Sequence, residues 1–273
     1  MCAEQGVRIR VLGSDEAIGV VVVHARIGAR TDRAMLHLCM ADELADLPVS
    51  RNHPAREVRV AGEDLVLRPT LVTDAASIAD AVAASLPELR RFMPWAHREG
   101  EGAPTLPLVQ LERLRHVEAE YFAGRELVMG LFGADGALRS MIGLHPRVAL
   151  NPRGLEVGYW TPTPWTKKGL TTLGVRVAAL YAFDKLGCDR LQVMHDEVNV
   201  ASRGVIERCG FLQEGVLVNA VAPPSAELVA AGYQATARTR LWAHSPASLA
   251  AQPWVEELRA RLTYLNLAGY VLP

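Results

Sequence analysis

GLEVGYWTPTPWTKKGLTTLGVRVAALYAFDKL, residues 154–186, is the stretch on which the fold turns. Its first seven residues read as a strand ending at Trp160. A short turn follows. Leu170, Leu173, Gly174, Val177, Leu180 and Tyr181 then recur at helical spacing, and Gly187 ends the helix. The helix opens on Thr166, Lys167, Lys168, Gly169, Leu170 and Thr171. Free backbone N–H groups at such a start, with a glycine that lets a ligand approach the backbone, form an anion site. Two lysines beside it add charge for a phosphate. The same residues also fit an ordinary solvated helix start.

The pattern continues on both sides. C-terminally, RLQVMHD (190–196) reads as a strand, NVASRGVIERCG (199–210) as a helix stopped by Gly210, and FLQEGVLVNA and ATARTRLWAH as two late strands. PWVEELRARL (253–262) has the pattern of a last amphipathic helix. N-terminally, ELVMGLF and ALRSMIGLH flank Ala134, Asp135 and Gly136, a hairpin signal. Before them lie a helix through VQLERLRHVEAEYF opened by Thr105 and Pro107, a helix through ASIADAVAASLPELRRF capped by Asp74, and a strand or hairpin across Gly62 in VRVAGEDLVLRP. LPVSRNHPAREV (47–58) reads as a linker, and two strands and a helix precede it. The expected division is an N-terminal extension over 1–55, a main domain over 56–245 and a helical tail over 246–273. The order β-α-α-β-β-β-α-β-α-β-β belongs to the α/β class with a mixed sheet.

Composition narrows the function classes. The chain has 273 residues, half of them hydrophobic, which is enough for a sizeable core. A net charge of -1 with no clustered basic excess argues against a nucleic-acid binder. No apolar run reaches the ~18 residues of a membrane span, and MCAEQGVRIR makes a poor signal peptide. Cys2, Cys39, Cys188 and Cys209 are widely spaced, with no CxxC pair, so neither a metal site nor a disulfide framework is expected. Reduced thiols in the cytoplasm fit this best. No GxGxxG follows a strand and no GxxxxGK[ST] occurs, which disfavours other nucleotide-binding α/β enzymes.

Several segments together resemble the GNAT superfamily of N-acetyltransferases, on its RimJ/RimL-like branch. LEVGYW is similar to the family's fourth strand, and TKKGLT stands where its acetyl-CoA signature, Gln/Arg-x-x-Gly-x-Gly/Ala, belongs. NVASRGVIERCGF resembles the Asn-x-x-Ser … Glu-x-x-Gly-Phe segment, LRRFMPWAH the segment after the first helix, and GLHPRV the approach to the fourth strand. The resemblance runs from about Val58 to His244. It implies a GNAT (acyl-CoA N-acyltransferase) fold, a mixed splayed sheet of the seven-stranded type flanked by helices. It also implies acetyl-CoA as co-substrate, no metal, and transfer to a primary amine on a protein N-terminus or a small molecule. The protein would be a monomer or homodimer. Thr166 replaces the usual Gln or Arg and Thr171 the usual Gly or Ala, while Gly169 is kept. A non-catalytic acyl-CoA-binding or regulatory module is the alternative, and these departures, with Ile206 where many relatives have a tyrosine, favour it.

The resemblance and the chemistry together name candidates. Acetyl transfer needs a neutral amine, donors for the developing oxyanion and an acid for the leaving thiolate. Glu156 is the candidate base, with pairing to an arginine such as Arg153 as its plain reading. Ser202 is the candidate acid, with a helix-cap role as its plain reading. The resemblance places acetyl-CoA against Val157, Tyr159, Thr166, Lys167, Lys168, Gly169, Leu170, Thr171, Thr172, Asn199 and Ser202. Trp95, His145, His195 and Glu214 are candidate acceptor contacts. One of His195 and Asp196 must face the active-site side, since they alternate on a strand. Cys209 offers a covalent route that direct attack makes unnecessary.

Overall fold

A computed structural model of the chain describes residues 8–12, 20–24, 55–148, 151–266 and 270–271. The chain divides into two units, Met1–Asp46 and Leu47–Pro273. In the first, β1 (Arg8–Leu12) and β2 (Val20–His24) form an antiparallel pair. The helix expected over 33–44 lies outside the described residues.

The second unit is built on one nine-stranded sheet. Its strands are β3 (Glu57–Val60), β4 (Leu65–Pro69), β5 (Leu127–Gly133), β6 (Leu138–His145), β7 (Gly154–Trp160), β8 (Arg190–Asp196), β9 (Leu212–Val218), β10 (Arg238–His244) and β11 (Leu262–Leu265). They lie in the order β11-β3-β4-β5-β6-β7-β8-β10-β9. All neighbours pair antiparallel except β7 and β8, which run parallel. A parallel pair needs a crossover. Helix α4 (Leu170–Asp184) supplies it.

The sheet has two strands more than the seven expected: the stretch across Gly62 is a hairpin of two strands, β3 and β4, and the tail is not purely helical. A short helix, α6 (Ala226–Ala230), lies between β9 and β10; after α7 (Pro246–Ala250) and α8 (Val255–Arg261), residues 262–265 form β11 and extend the sheet beside β3. Tyr264 is alternately placed with Leu262 on that strand and buries its ring against Tyr181 of α4, with centroids 5.9 Å apart.

Two expectations about the first helices need correction. The single helix through 76–92 is two, α1 (Ala75–Ala83) and α2 (Leu86–Arg90). Pro87 explains the break: it has no N–H to bond the Ala83 carbonyl and its ring would clash with that carbonyl in a continuous helix, so it is placed in the first turn of a new one. Asp74 does not cap α1 through its side chain. Its carboxylate accepts two hydrogen bonds from Arg68, at 2.8 and 2.9 Å, and one from Leu71 N–H. A bidentate guanidinium partner displaced the capping role. Pro107 does open the next helix, α3 (Pro107–Phe122), from its first position.

Strand alternation sends apolar side chains to both faces. Leu127, Met129, Leu131, Ile142, Leu144 and Leu155 pack under α4, α5 (Val200–Cys209) and α8. Val128, Phe132, Leu138 and Met141 pack under α1, α2 and α3. The second face borders one side of the cleft described next.

Candidate active site

The site begins where pairing stops. β7 and β8 pair through Gly154–Arg190, Leu155–Leu191 and Glu156–Gln192, and no further. Beyond that point the two strands diverge, and the β8-facing backbone groups of Val157 to Trp160 are left without a strand partner. A cleft of about 1030 Å³ opens there. It is lined by β7, the start of α4, the end of β8 and α5, together with the segments around residues 88–94 and 221–239.

At one end, the start of α4 is shaped for an anion. Lys167 has φ 59° and Gly169 has φ 77°, both left-handed. Such alternation turns successive N–H groups to one side, as in other anion-binding nests. A Cβ on Gly169 would meet no protein atom within 4 Å, so the space above it is open to a ligand. Thr166, Lys167, Gly169, Thr171 and Thr172 line the cleft. Lys168 and Leu170 do not. The Lys168 ammonium lies 4.3 Å from the Trp165 ring centroid, and Leu170 packs on the core. The Thr171 hydroxyl bonds to that of Thr161, which is 3.1 Å from Ser140 Oγ. Its hydroxyl is thereby held against β6 and β7.

Arg208 was not singled out from sequence, yet it lines the same end. Its Nε donates to Thr172 Oγ1 at 3.3 Å. Only the packing of α5 on α4 brings it to the helix start, so no local spacing announced it.

The middle of the cleft carries the candidate acid and base. Val157 and Tyr159 point to the α4–α5 face, and Glu156, Gly158 and Trp160 to the other. Tyr159 Oη lies 2.9 Å from Ser202 Oγ and 3.1 Å from the Ser202 carbonyl, to which it donates. Burial raises the Tyr159 phenol well above its ordinary range, so it stays protonated. Asn199 caps α5, its Oδ1 accepting from Ser202 N–H at 3.1 Å, and it also lines the cleft. Opposite, Gln192 Nε2 donates to Glu156 Oε2 at 3.0 Å. Arg153 is not the partner of Glu156; it pairs with Asp189.

The remaining candidates sort by strand alternation. Asp196 is on the Glu156 face, but its carboxylate accepts from Val198 N–H, Thr236 N–H and the Thr236 hydroxyl, which fixes the 236–238 segment on β8. His195 faces α5 and is buried. Its Nδ1–H donates to the Asp196 carbonyl at 2.7 Å, and its Nε2 accepts from Trp242 Nε1 at 3.1 Å. Burial lowers its proton affinity. With its one lone pair engaged, it has nothing to offer an amine. Trp95 sits behind the cleft against Trp160, with ring centroids 6.3 Å apart. Glu214 forms a two-pronged pair with Arg190, outside the lining. His145 is not in the lining, but its ring lies on the side-chain face of Gly158, with Nε2 3.4 Å from where a Cβ there would sit. Cys209 is buried and its thiol is pushed up to about 12 by desolvation, which removes it as a nucleophile at neutral pH.

The two walls of the cleft, around residues 88–94 and 221–239, hold each other. Gln234 N–H donates to the Arg91 carbonyl at 2.8 Å, and Arg91 Nε donates to Gln234 Oε1 at 2.9 Å. His97 and Tyr233 meet edge to face with centroids 5.9 Å apart.

Residues 64–212 match the acetyltransferase (GNAT) domain, over half of the chain. The chain belongs to the GNAT acetyltransferase family. In the curated relative "Putative ribosomal N-acetyltransferase YdaF" of Bacillus subtilis, 81 residues align at 41% identity, which is 30% of this GNAT chain and 44% of that protein. The match thus spans less than half of the relative's length. Among solved structures, RimJ of Mycobacterium smegmatis in complex with CoA-disulfide superposes with a TM-score of 0.59 at 22% identity, covering 76% of this chain and 95% of that one. The ribosomal-protein-S5-alanine acetyltransferase of Vibrio fischeri gives 0.57 at 15% identity, covering 68% and 96%. At these identities the likeness is one of fold, and it is the GNAT fold with its splayed mixed sheet. Among the described residues no group of three His, Cys, Asp or Glu side chains gathers as a metal site, and no helix is long and apolar enough to cross a membrane.

Proposed function

We propose that this GNAT protein moves an acetyl group from acetyl-CoA to a primary amine by direct attack, acting in the cytoplasm, with a protein N-terminus as the first acceptor class and a small-molecule amine as the second. The observation that carries the reading is the cleft at the β7–β8 divergence, with a carboxylate on one face and a protonated hydroxyl pair on the other. The name of the Bacillus relative supports a ribosomal-protein acceptor.

When bound, acetyl-CoA supplies the thioester carbonyl. The backbone N–H groups at the start of α4, with Lys167 and Arg208, hold the pyrophosphate. The unpaired edge of β7 at Val157 and Tyr159 holds the pantetheine arm by completing the missing ladder. Glu156 takes the proton from the amine through its free Oε1, directly or through one water. Ser202, hydrogen-bonded to Tyr159, gives a proton to the departing sulfur.

The test is CoA release measured over a panel of ribosomal-protein N-terminal peptides, polyamines and aminoglycosides. Release with at least one amine is the expected result. Acetyl-CoA binding without release to any amine would favour the regulatory-module reading.

A further inference from the structure

One imidazole on the acceptor face has no assigned task. His145 is opposite Glu156 in the β6–β7 register. Side chains at directly opposed positions leave the sheet about 5 Å apart on the same face. The His145 ring lies along β6 across Gly143 and reaches Gly158, the residue opposite Gly143. A Cβ at Gly143 would overlap the ring, and one at Gly158 would sit 3.4 Å from Nε2. Two facing glycines therefore leave a trough that the imidazole fills, and Gly158 is part of the cleft wall.

The other end of the ring is fixed. His145 Nδ1 is 2.5 Å from Glu126 Oε1, which also accepts from Arg147 at 2.9 Å. The hydrogen bond from His145 holds the Glu126 carboxyl below the usual range, so Glu126 is ionised. A carboxylate at Nδ1 requires a proton on that nitrogen and leaves the lone pair of the neutral ring on Nε2, the atom beside Gly158. Nε2 makes no hydrogen bond among the described residues.

We propose that His145 is a proton-relay residue that empties Glu156 after the amine has given up its proton, with Glu126 orienting the ring and balancing its charge. This rests on the reading of Glu156 as first proton acceptor. In the first transfer an ammonium N–H bond breaks and an O–H bond forms on Glu156. In the second that O–H bond breaks and, with one water between the two groups taking up this proton and handing on one of its own, an N–H bond forms at His145 Nε2; the imidazolium later releases its proton to bulk water. No electrons change hands. The second transfer is favourable, since an imidazole ordinarily binds a proton more tightly than a carboxylate does. The charged groups facing the ring are Glu126 before β5, Arg147 after β6 and Glu156 on β7; Arg113 on α3 acts on Glu126 through space.

The experiment compares pH profiles of kcat/KM for the unmodified protein, His145→Gln, Glu126→Gln and Glu156→Gln, using any amine that supports CoA release, with acetyl-CoA affinity measured by calorimetry. His145→Gln should lower kcat by about ten-fold or more and remove one inflection from the profile, leaving only the acceptor's own ionisation. Acetyl-CoA affinity should be unchanged. Glu126→Gln keeps the ring but removes its anion, so the inflection should move to lower pH; this variant carries the test if His145→Gln fails to fold. A loss in His145→Gln that is uniform with pH, or that tracks weaker acetyl-CoA binding, means a structural role and overturns the proposal. An inflection left in place does the same. Full activity in Glu156→Gln would instead sink the underlying reading, and that outcome is read independently of the histidine.

Discussion

A carboxylate that lends one oxygen to a neutral amide keeps the other for a proton. Glu156 is in that position, with Gln192 on Oε2. Glu156→Gln retains shape and most hydrogen bonding but cannot accept the proton. Turnover at neutral pH should fall about ten- to thousand-fold, at and just below the usual range for an acid–base group. Acetyl-CoA affinity should hardly change. The defect should shrink as pH rises, because more amine is already neutral; a pH–rate profile of both forms checks this. The candidate acid, Ser202, comes with a hydrogen-bonded partner, Tyr159. Ser202→Ala should lower kcat more than acetyl-CoA affinity, and Tyr159→Phe should do likewise while its ring keeps packing. Intact turnover in Ser202→Ala with a lower melting temperature would reduce Ser202 to a part of the helix start. At this scale the sequence was only partly legible. Motif and alternation single out Ser202 and Glu156 as candidates, but their hydrogen-bond partners, Tyr159 on β7 for the one and Gln192 on β8 for the other, lie on different elements of the fold. Arg208 was invisible because helix packing alone delivers it. Glu214 looked available on an outer strand until Arg190, 24 residues away, claimed it.

The loop opening α4 sets two effects against each other. Lys167 is a branched-free but bulky residue in a left-handed conformation, which is disfavoured by about 1–2 kcal/mol for a residue with a Cβ. It is also a charge at the candidate phosphate site. Lys167→Gly should therefore raise the melting temperature and weaken acetyl-CoA binding, opposite signs that calorimetry and thermal unfolding can separate. A parallel fall of both would deny the loop its ligand. Gly169→Val places a branched side chain at φ 77° and in the open space above the backbone. Acetyl-CoA affinity should drop sharply, and unchanged affinity would remove the central claim. The strand–turn–helix order of this element was legible because periodicity and Gly187 are local signals. The break between α1 and α2 was missed because apolar spacing ran on through Pro87, whose missing N–H and ring clash with the carbonyl four residues earlier outweighed the pattern.

For the whole molecule, buried histidines and the cleft predict how stability responds to solution conditions. His195 and His244 are both held neutral by burial, below their ordinary range. A group whose proton affinity is lower folded than unfolded draws protons on unfolding, so stability rises with pH through its range. The melting temperature should be level above about pH 7 and fall as pH drops below about 6.5; a midpoint flat from neutrality down to about pH 5.5 would contradict this. Acetyl-CoA at about 100 times its Kd should add roughly 2.7 kcal/mol, or roughly 5–10 °C for a domain of this size. The α/β class and the order of the central strands were readable from alternation and helical spacing. The width of the sheet was not, because β11 pairs with β3 across some 200 residues and carries no local mark of that partnership. The clasp between Arg91 and Gln234 has a consequence for change over generations. These walls are far apart in the chain yet joined at both backbone and side chain. A drift in acceptor preference must therefore proceed by compensated steps in both, and a graft of one wall from a relative without its counterpart brings mismatched halves together.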